Sequence, residues 1–230
     1  MQALLESIHF IWGIEASISH INYHGMTDQE IITRLLEKYD VDAETIRSNL
    51  KDCVEYMPVK YNEIVKSENI VMLEGVFDFL TELGRNGFIL GLVTGNLEKI
   101  ARAKLKKIGI NHFFEIGGFG SDHINRANLV KIAIRRAEEK FGIDNNKKIF
   151  LFGDTPQDMK AGKAGGVMPI GVTTGIYSSD QLLAAGAHKV LPNLKDTDDI
   201  LTFLFNLPVN AKHSVSKSDD KGSADKNDKI

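Results

Sequence analysis

The first 67 positions of the chain carry apolar side chains at helical spacing only. This spacing predicts three helices, whose apolar stripes lie within residues 4–12, 31–39 and 46–54. Thr27, with Glu30 three residues later, is typical of a capping box that begins the second helix. Pro58 is expected to bend or break the third helix, because proline lacks the N–H that the helical ladder uses. Residues 1–70 are therefore predicted to form an all-helical domain.

The pattern changes near Leu73, where helical stretches begin to alternate with short, β-rich apolar runs. Strands are predicted at residues 88–94, 113–120, 148–152, 168–174 and 189–191, with helices between them and a closing helix at 197–205. Such alternation is typical of parallel strands joined by crossover helices. We therefore predict a doubly wound, Rossmann-like α/β core over residues 71–209. Residues 210–230 form a polar tail that is too poor in apolar side chains to order itself.

The charge balance of the chain argues against nucleic acid and membranes as partners. The 28 Lys and Arg residues against 31 Asp and Glu give a net charge of -3, which offers no basic field for nucleic acid or an anionic membrane. The single cysteine, Cys53, lies at helical spacing among apolar residues and is interpreted as core packing in a reducing compartment. No apolar run approaches the roughly 18 residues needed to span a bilayer. A cytoplasmic location is expected, and the oligomeric state is left open.

Ligands of open α/β sheets bind beyond the carboxyl ends of the strands, and three of these ends are polar here. Thr94, Gly95 and Asn96 follow the first strand as a hydroxyl, a glycine and a predicted helix N-cap. Backbone N–H groups at such a helix start are able to hold a phosphate oxygen. A tight turn followed by a cap would use the same residues.

The sequence GDTPQD at 153–158 places two carboxylates at the end of the third predicted strand. If Thr155 is the N-cap, Asp158 takes the third helical position and points back toward Asp154. Such a pair suits Mg²⁺, which takes one or two protein carboxylates together with water and substrate phosphate. An alternative is that Asp158 only stabilises the start of the helix, but this alternative does not explain Asp154. A carboxylate at a buried strand end, as at Asp154, is costly unless it binds something.

The polar loop 117–126 follows the second predicted strand and ends at Arg126, just before a helix. A cation at this place could balance the negative charges of a phosphoryl group and a carboxylate together. A solvated loop arginine is an equally good interpretation of the spacing.

The segments VTGN (93–96) and GDTPQD (153–158), in this order, resemble the motifs of the haloacid dehalogenase-like superfamily of phosphatases. The resemblance covers nearly all of residues 75–205. It implies that Thr94 binds phosphate and that Asp154 and Asp158 hold magnesium.

The resemblance extends to the predicted helical domain, which is similar to the cap of this superfamily, with HGMTD at 24–28 as a segment that faces substrate. The most similar subgroup is the phosphoglycolate-phosphatase-like one. Arg126 stands where the family usually has lysine, which keeps the charge and changes the geometry of the donors.

The family begins with a strand that ends in a DxDGT motif, and this sequence contains no such motif. The first aspartate of the motif attacks phosphorus, and the second acts as general acid and base. The segment VFDFL at 76–80 is the nearest look-alike, and it lies in a helical pattern. In the resembled fold, the motif strand lies between the strands predicted at 88–94 and 148–152, which would leave both with an unpaired edge.

Two functions are consistent with these observations. The first is a Mg²⁺-dependent phosphatase that acts on a small phosphate ester through an aspartyl-phosphate intermediate, here as an N-terminally incomplete chain without its nucleophile. The second is a noncatalytic protein that keeps the fold for binding or regulation. The predicted phosphate ligands are Thr94, Gly95, Asn96 and Arg126, the predicted metal ligands are Asp154 and Asp158, and Thr94, Arg126 and Asp154 are assigned to catalysis.

Overall fold

The computed structural model describes residues 1–143 and 147–207. Its helices are α1 (Gln2–Trp12), α2 (Asp28–Lys38), α3 (Ala43–Ile64), α4 (Val76–Arg85), α5 (Glu98–Lys107), α6 (Arg126–Phe141), α7 (Pro156–Gly165), α8 (Ser179–Ala184) and α9 (Thr197–Asn206). Its strands are β1 (Gly91–Thr94), β2 (Ile116–Phe119), β3 (Phe150–Gly153), β4 (Met168–Val172) and β5 (Lys189–Leu191). The polar tail predicted at 210–230 and the last two residues of the predicted core lie outside the described residues.

The helices α1, α2 and α3 pack on one another around a common apolar core. Ile8, Ile32, Leu35, Leu36 and Cys53 are fully buried there. Burying side chains of this size stabilises the fold by about 1.5–3 kcal/mol each. The apolar stripes of the sequence therefore face one another, as their spacing predicted.

Pro58 was expected to bend or break α3, and it lies inside this helix without ending it, so a break at this position was wrong. Proline costs the helix one backbone hydrogen bond. The buried residues Met57 and Tyr61 lie on either side of it and pack in the apolar core. This packing holds the helical path through the proline.

The strands form two parallel sheets, one with the order β1-β2 and one with the order β3-β4-β5. Gly91 is in register with Ile116 in the first sheet, and Phe150 with Met168 in the second. All observed strands are shorter than predicted or equal in length, and β1 begins three residues later than the predicted strand at 88–94. The parallel pairing confirms the α/β class.

Helices cover both faces of these sheets. On one face, Phe79 of α4 and Leu204 of α9 belong to a cluster that also contains Phe88 and Phe152. On the other face, Val130 of α6 and Ala161 of α7 pack with Val93 and Leu151. Val93 of β1 and Leu151 of β3 share one cluster, and residues just before β1 share the other cluster with β3, so the two sheets lie side by side in one doubly wound layer.

The inner edges of the two sheets are unpaired within the described part of the chain. There, β1 pairs with β2 alone and β3 with β4 alone. Both strands therefore have the unpaired edge that the sequence analysis predicted.

The outer edges of the layer are protected. Arg102 donates to the carbonyl oxygen of Phe114, just before β2, and Arg136 donates to that of Gly117 within it, with Nη1 and O 2.6 Å apart. At the opposite edge, β5 has three residues and begins with the exposed Lys189. Short strands and charged side chains are features that discourage pairing with another chain. Among the described residues, no helix is both long enough and apolar enough to cross a bilayer.

Candidate functional site

A cavity of about 380 Å³ lies between the N-terminal helices and the carboxyl ends of β1 and β3. It is lined by all six residues that the sequence singled out, Thr94, Gly95, Asn96, Arg126, Asp154 and Asp158. The fold therefore brings the ends of three chain segments to one place, as expected for an open α/β sheet.

Asp158 is fixed by two sets of contacts. Its Oδ2 accepts hydrogen bonds from the backbone N–H of Thr155 (3.1 Å) and from the Thr155 hydroxyl (2.7 Å), which forms a capping box at the start of α7 with Thr155 as the predicted N-cap. Its Oδ1 lies 2.6 Å from Nη2 of Arg126. Gly153 is required beside it, because a Cβ atom at that position would collide with the Asp158 side chain. Asp158 thus both begins a helix and orients a cation.

Arg126 is the first residue of α6, and its side chain is only 18% exposed. The alternative of a solvated loop arginine was therefore wrong. Besides Asp158, the guanidinium contacts the carbonyl oxygen of Gly25 at 3.4 Å. Its Nε is buried and has no hydrogen-bond partner among the described residues. Because leaving a buried donor unpaired costs about 1–3 kcal/mol, this N–H is suited to an oxygen atom of a ligand.

Asp154 is an exposed residue, so the expectation of a carboxylate at a buried strand end was wrong; its carboxylate packs against Gly175 in the loop after β4. The pKa of Asp154 is raised above its ordinary value, first by partial shielding of the carboxyl group from water and second by the charge of Asp158. Arg126 and His24 oppose this shift. Excess negative charge at such a place favours a bound cation.

Asp154 and Asp158 are the predicted ligands of Mg²⁺. Within residues 1–143 and 147–207, no three His, Cys, Asp or Glu side chains come together as a metal site. Two carboxylates nevertheless suit Mg²⁺, which keeps several waters and binds substrate phosphate. Asp158 already accepts hydrogen bonds at both oxygens, so Asp154 is the better direct ligand.

Thr94 ends β1, and its Oγ1 accepts the backbone N–H of Asn96 at 3.2 Å. This bond leaves the hydroxyl proton of Thr94 to be donated to a ligand. The N-cap of α5 is Leu97 and not Asn96, so the predicted cap was wrong by one residue. The N–H groups of Leu97 and Glu98 are taken by Asp28 (2.8 Å) and Ser121 (3.2 Å), so the hydroxyl of Thr94 is the better phosphate donor at this strand end.

Gly95 permits a close approach between the N-terminal segment and β1. A Cβ atom there would collide with the carbonyl oxygen of Met26. The carbonyl of Gly95 in turn accepts the N–H of Asp28 at 2.8 Å. The hydroxyl of Thr27 donates to Ile124 O at 3.0 Å nearby. These contacts hold residues 24–28 against the strand ends.

Asp28 and Lys104 also line the cavity; Asp28 belongs to the HGMTD segment that was expected to face substrate, whereas Lys104 had not been assigned to the site. Asp28 is buried and accepts hydrogen bonds from the Leu97 N–H and from Nδ2 of Asn96 (3.1 Å). Burial raises the pKa of Asp28, and these two hydrogen bonds oppose the shift. Lys104 could have been found, because it is a lysine on the apolar stripe of α5, in helical register with Leu97 and Ala101.

An aromatic group lines the cavity on the side of the N-terminal segment. The ring of His24 stacks on Tyr23, with centroids 4.8 Å apart, and meets the edge of Tyr177 at 6.5 Å. Tyr177 belongs to the loop that follows β4. His24 therefore joins the N-terminal segment to this loop of the core.

A family model described as haloacid dehalogenase-like hydrolase matches residues 11–172. The chain belongs to the haloacid dehalogenase-like hydrolases. Among curated proteins it is similar to the pyrophosphatase PpaX of Bacillus velezensis, with 28% identity over 64% of this chain and 68% of that one. It is also similar to a phosphoglycolate phosphatase of Neisseria meningitidis, with 32% identity over 43% of this chain and 40% of that one.

Solved structures of hydrolases and phosphatases share the fold. A hydrolase from Pseudomonas syringae superposes with a TM-score of 0.62 at 19% identity, over 88% of this chain and 90% of that one. The recognition made from VTGN and GDTPQD is thereby confirmed at the level of the family and its fold.

Proposed function

We propose that this haloacid dehalogenase-like hydrolase carries the phosphate-binding and metal-binding parts of a Mg²⁺-dependent phosphatase site for small phosphorylated metabolites. The observation that carries the proposal is the convergence of Thr94, Arg126, Asp154 and Asp158 on one cavity, where the guanidinium of Arg126 has an Nε without a hydrogen-bond partner among the described residues. The names of the relatives, a pyrophosphatase and a phosphoglycolate phosphatase, support hydrolysis of a phosphoryl bond.

Each side chain has a distinct role in the proposal. Thr94 and Arg126 donate to oxygens of the phosphoryl group and hold it at the strand ends. Asp158 keeps the guanidinium of Arg126 in place through the 2.6 Å ion pair. Asp154 would hold Mg²⁺, with Asp158 behind it, and the ion when bound supplies positive charge to the phosphoryl oxygens. Residues 1–70 serve as the cap that closes the cavity over the core at 71–209.

The nucleophile is a separate requirement. Each of the three carboxylates of the described residues that line the cavity has another role, because Asp28 and Asp158 are hydrogen-bonded and Asp154 is assigned to the metal. A route through an aspartyl-phosphate therefore needs a further aspartate in line with phosphorus. We place it on a strand seated between β1 and β3, because their inner edges are unpaired in the described part of the chain.

The proposal is tested with two proteins and a generic aryl phosphate in the presence of Mg²⁺. One protein is the 230-residue chain, and the other carries a strand that ends in DxDGT fused before Met1. We expect turnover by the extended protein only, because charge neutralisation without a nucleophile leaves most of the barrier in place. Asp154→Asn in the extended protein should abolish turnover. Turnover by the 230-residue chain would show that it holds a nucleophile of its own and would contradict this assignment.

The second candidate is a noncatalytic binding protein, and the absence of DxDGT from the 230 residues favours it. It predicts that the extended protein binds inorganic phosphate through Thr94 without turning over any ester. The same pair of proteins therefore separates the two functions. The cytoplasmic location and the absence of nucleic-acid and membrane partners remain predictions from composition.

A further inference from the structure

Lys104 lines the same cavity as the proposed phosphate site, yet the proposed function gives it no role. It lies in the second turn of α5, and its ammonium stands over the ring of Tyr61, 5.6 Å from the ring centroid. Tyr61 belongs to α3, so Lys104 lies where the N-terminal helices meet the core.

The side-chain amide of Asn96 sets the position of this ammonium. Nδ2 of Asn96 donates to Asp28 at 3.1 Å, and Oδ1 accepts from Nζ of Lys104 at 2.9 Å. Both ends of the amide are occupied, so its orientation is fixed. Because the N–H of Asn96 also bonds to Thr94 at 3.2 Å, one residue joins the proposed phosphate donor to the ammonium.

The ammonium of Lys104 retains binding capacity. It has three N–H donors, and its hydrogen bond to Asn96 uses one of them. Among the described residues, no carboxylate lies within 4 Å of it, whereas Arg126 has Asp158 as its partner. Asp28 lies near enough to interact with its charge but is hydrogen-bonded to Leu97 and Asn96. Two donors and a positive charge thus remain beside an open cavity.

We propose that Lys104 is a specificity-determining residue that binds a second anionic group of the substrate, apart from the phosphoryl group held by Thr94 and Arg126. The inference rests on the proposed function, because it takes the position of the first phosphoryl group from it. The preferred substrates are small molecules that carry a phosphoryl group and one further anion, which is either a carboxylate or a second phosphoryl group. Uncharged leaving groups gain nothing from Lys104.

The test measures binding of three phosphonates to the full chain at a fixed free Mg²⁺ concentration by isothermal titration. Propylphosphonate carries one anionic group, phosphonoacetate adds a carboxylate, and methylenediphosphonate adds a second phosphonate. We expect the two compounds with a second anion to bind at least about 10-fold more tightly than propylphosphonate, since a charge-assisted hydrogen bond is worth about this factor. The compound with the greater gain identifies the second anion.

Lys104→Gln keeps a donor for Asn96 and removes the charge, so it should abolish that preference. Lys104→Arg should retain part of it. Lys106→Gln, which removes a charge from an exposed position of the same helix, should leave the preference intact. A preference that survives Lys104→Gln would overturn the inference. An equal loss of affinity for all three compounds in this variant would also overturn it, because that result indicates a structural role.

Failure of the proposed function has a different signature. In that case Thr94→Val leaves the affinity for propylphosphonate unchanged, whatever happens at Lys104. If none of the three compounds binds the unmodified chain, both the proposed function and the inference are wrong. Circular dichroism of each variant identifies any that do not fold.

Discussion

At the scale of single residues, the pair formed by Arg126 and Asp158 joins the proposed site to the stability of the fold. The Asp158 side chain is 5% exposed and that of Arg126 is 18% exposed. Removing one partner of a buried ion pair leaves the other charge without compensation. The same contact that orients the proposed phosphate ligand therefore also holds the start of α6 against the start of α7.

We predict that Arg126→Met lowers the free energy of unfolding by about 3 kcal/mol, because it leaves the Asp158 carboxylate buried and unpaired. Urea unfolding followed by circular dichroism measures the change. Arg135→Met on the same helix is the control, since both Arg135 and Glu139 are 66% exposed and their pair should contribute at most about 0.5 kcal/mol. Equal effects of the two substitutions would mean that the buried pair stabilises the fold no more than the exposed pair does.

The sequence predicted local contacts of the site and missed the distant ones. Thr155 and Asp158 are three residues apart, so helix capping rules were sufficient to place them. The bond between Asp28 and Leu97 spans 69 positions, and no rule of spacing links them. Arg126 could be assigned a charge but not a partner, for the same reason.

At the scale of elements, the junction between α2 and α5 depends on Asp28. The pKa of its carboxyl group is raised above the ordinary 3.8, chiefly by burial. A raised pKa in the folded state means that the neutral carboxyl is favoured there. The resulting contribution to stability is present below pH 3.8 and is lost as the pH rises through the raised pKa.

We therefore predict that the unmodified protein loses stability relative to Asp28→Asn as the pH rises above 3.8. Urea unfolding of both proteins at a series of pH values above 3.8 gives the difference directly. A difference that stays constant, or that changes in the opposite direction, would show that the hydrogen bonds from Leu97 and Asn96 outweigh burial.

Gly95 provides a second test of this junction, because the backbone of Met26 leaves no space for a side chain there. We predict that Gly95→Ala destabilises the protein by about 1–3 kcal/mol, through the overpacking of two backbone segments. Gly84→Ala is the control, since Gly84 lies in α4 with no atom within 4 Å of the added Cβ. There alanine should stabilise the helix by about 0.5–1 kcal/mol. Thermal unfolding measures both changes, and a neutral Gly95→Ala would contradict the close packing.

The order and type of the helices and strands followed from hydrophobic periodicity, but their ends and interruptions did not. Pro58 was expected to bend or break α3 on local grounds, and the helix continues through it because Met57 and Tyr61 pack in the apolar core. Residues 88–90 were predicted as strand because they are apolar. Phe88 and Leu90 are instead packed in the cluster that includes α4 and α9, ahead of the observed strand. An apolar run in the sequence therefore indicates burial, but it does not show whether the buried residues lie in a strand or next to one.

At the scale of the whole molecule, we expect the unpaired inner edges of β1 and β3 to determine whether the protein self-associates. Backbone N–H and C=O groups at such edges are available to another chain. We predict that the 230-residue protein self-associates as its concentration rises, and that fusing the DxDGT strand before Met1 makes it monomeric. Sedimentation velocity over about a 50-fold range of concentration distinguishes the two. An unmodified chain that stays monomeric throughout would mean that these edges are covered in another way.

The arginines along β2 have a consequence for the order of folding. Arg102 and Arg136 bind carbonyl groups at one outer edge, and the short β5 forms the other. The backbone groups available for pairing with a further strand are therefore those at the inner edges of β1 and β3. Neither β1-β2 nor β3-β4-β5 needs the other to form its own hydrogen bonds. The strands of each half can therefore pair before the two halves come together in the cluster that contains Val93, Val130, Leu151 and Ala161.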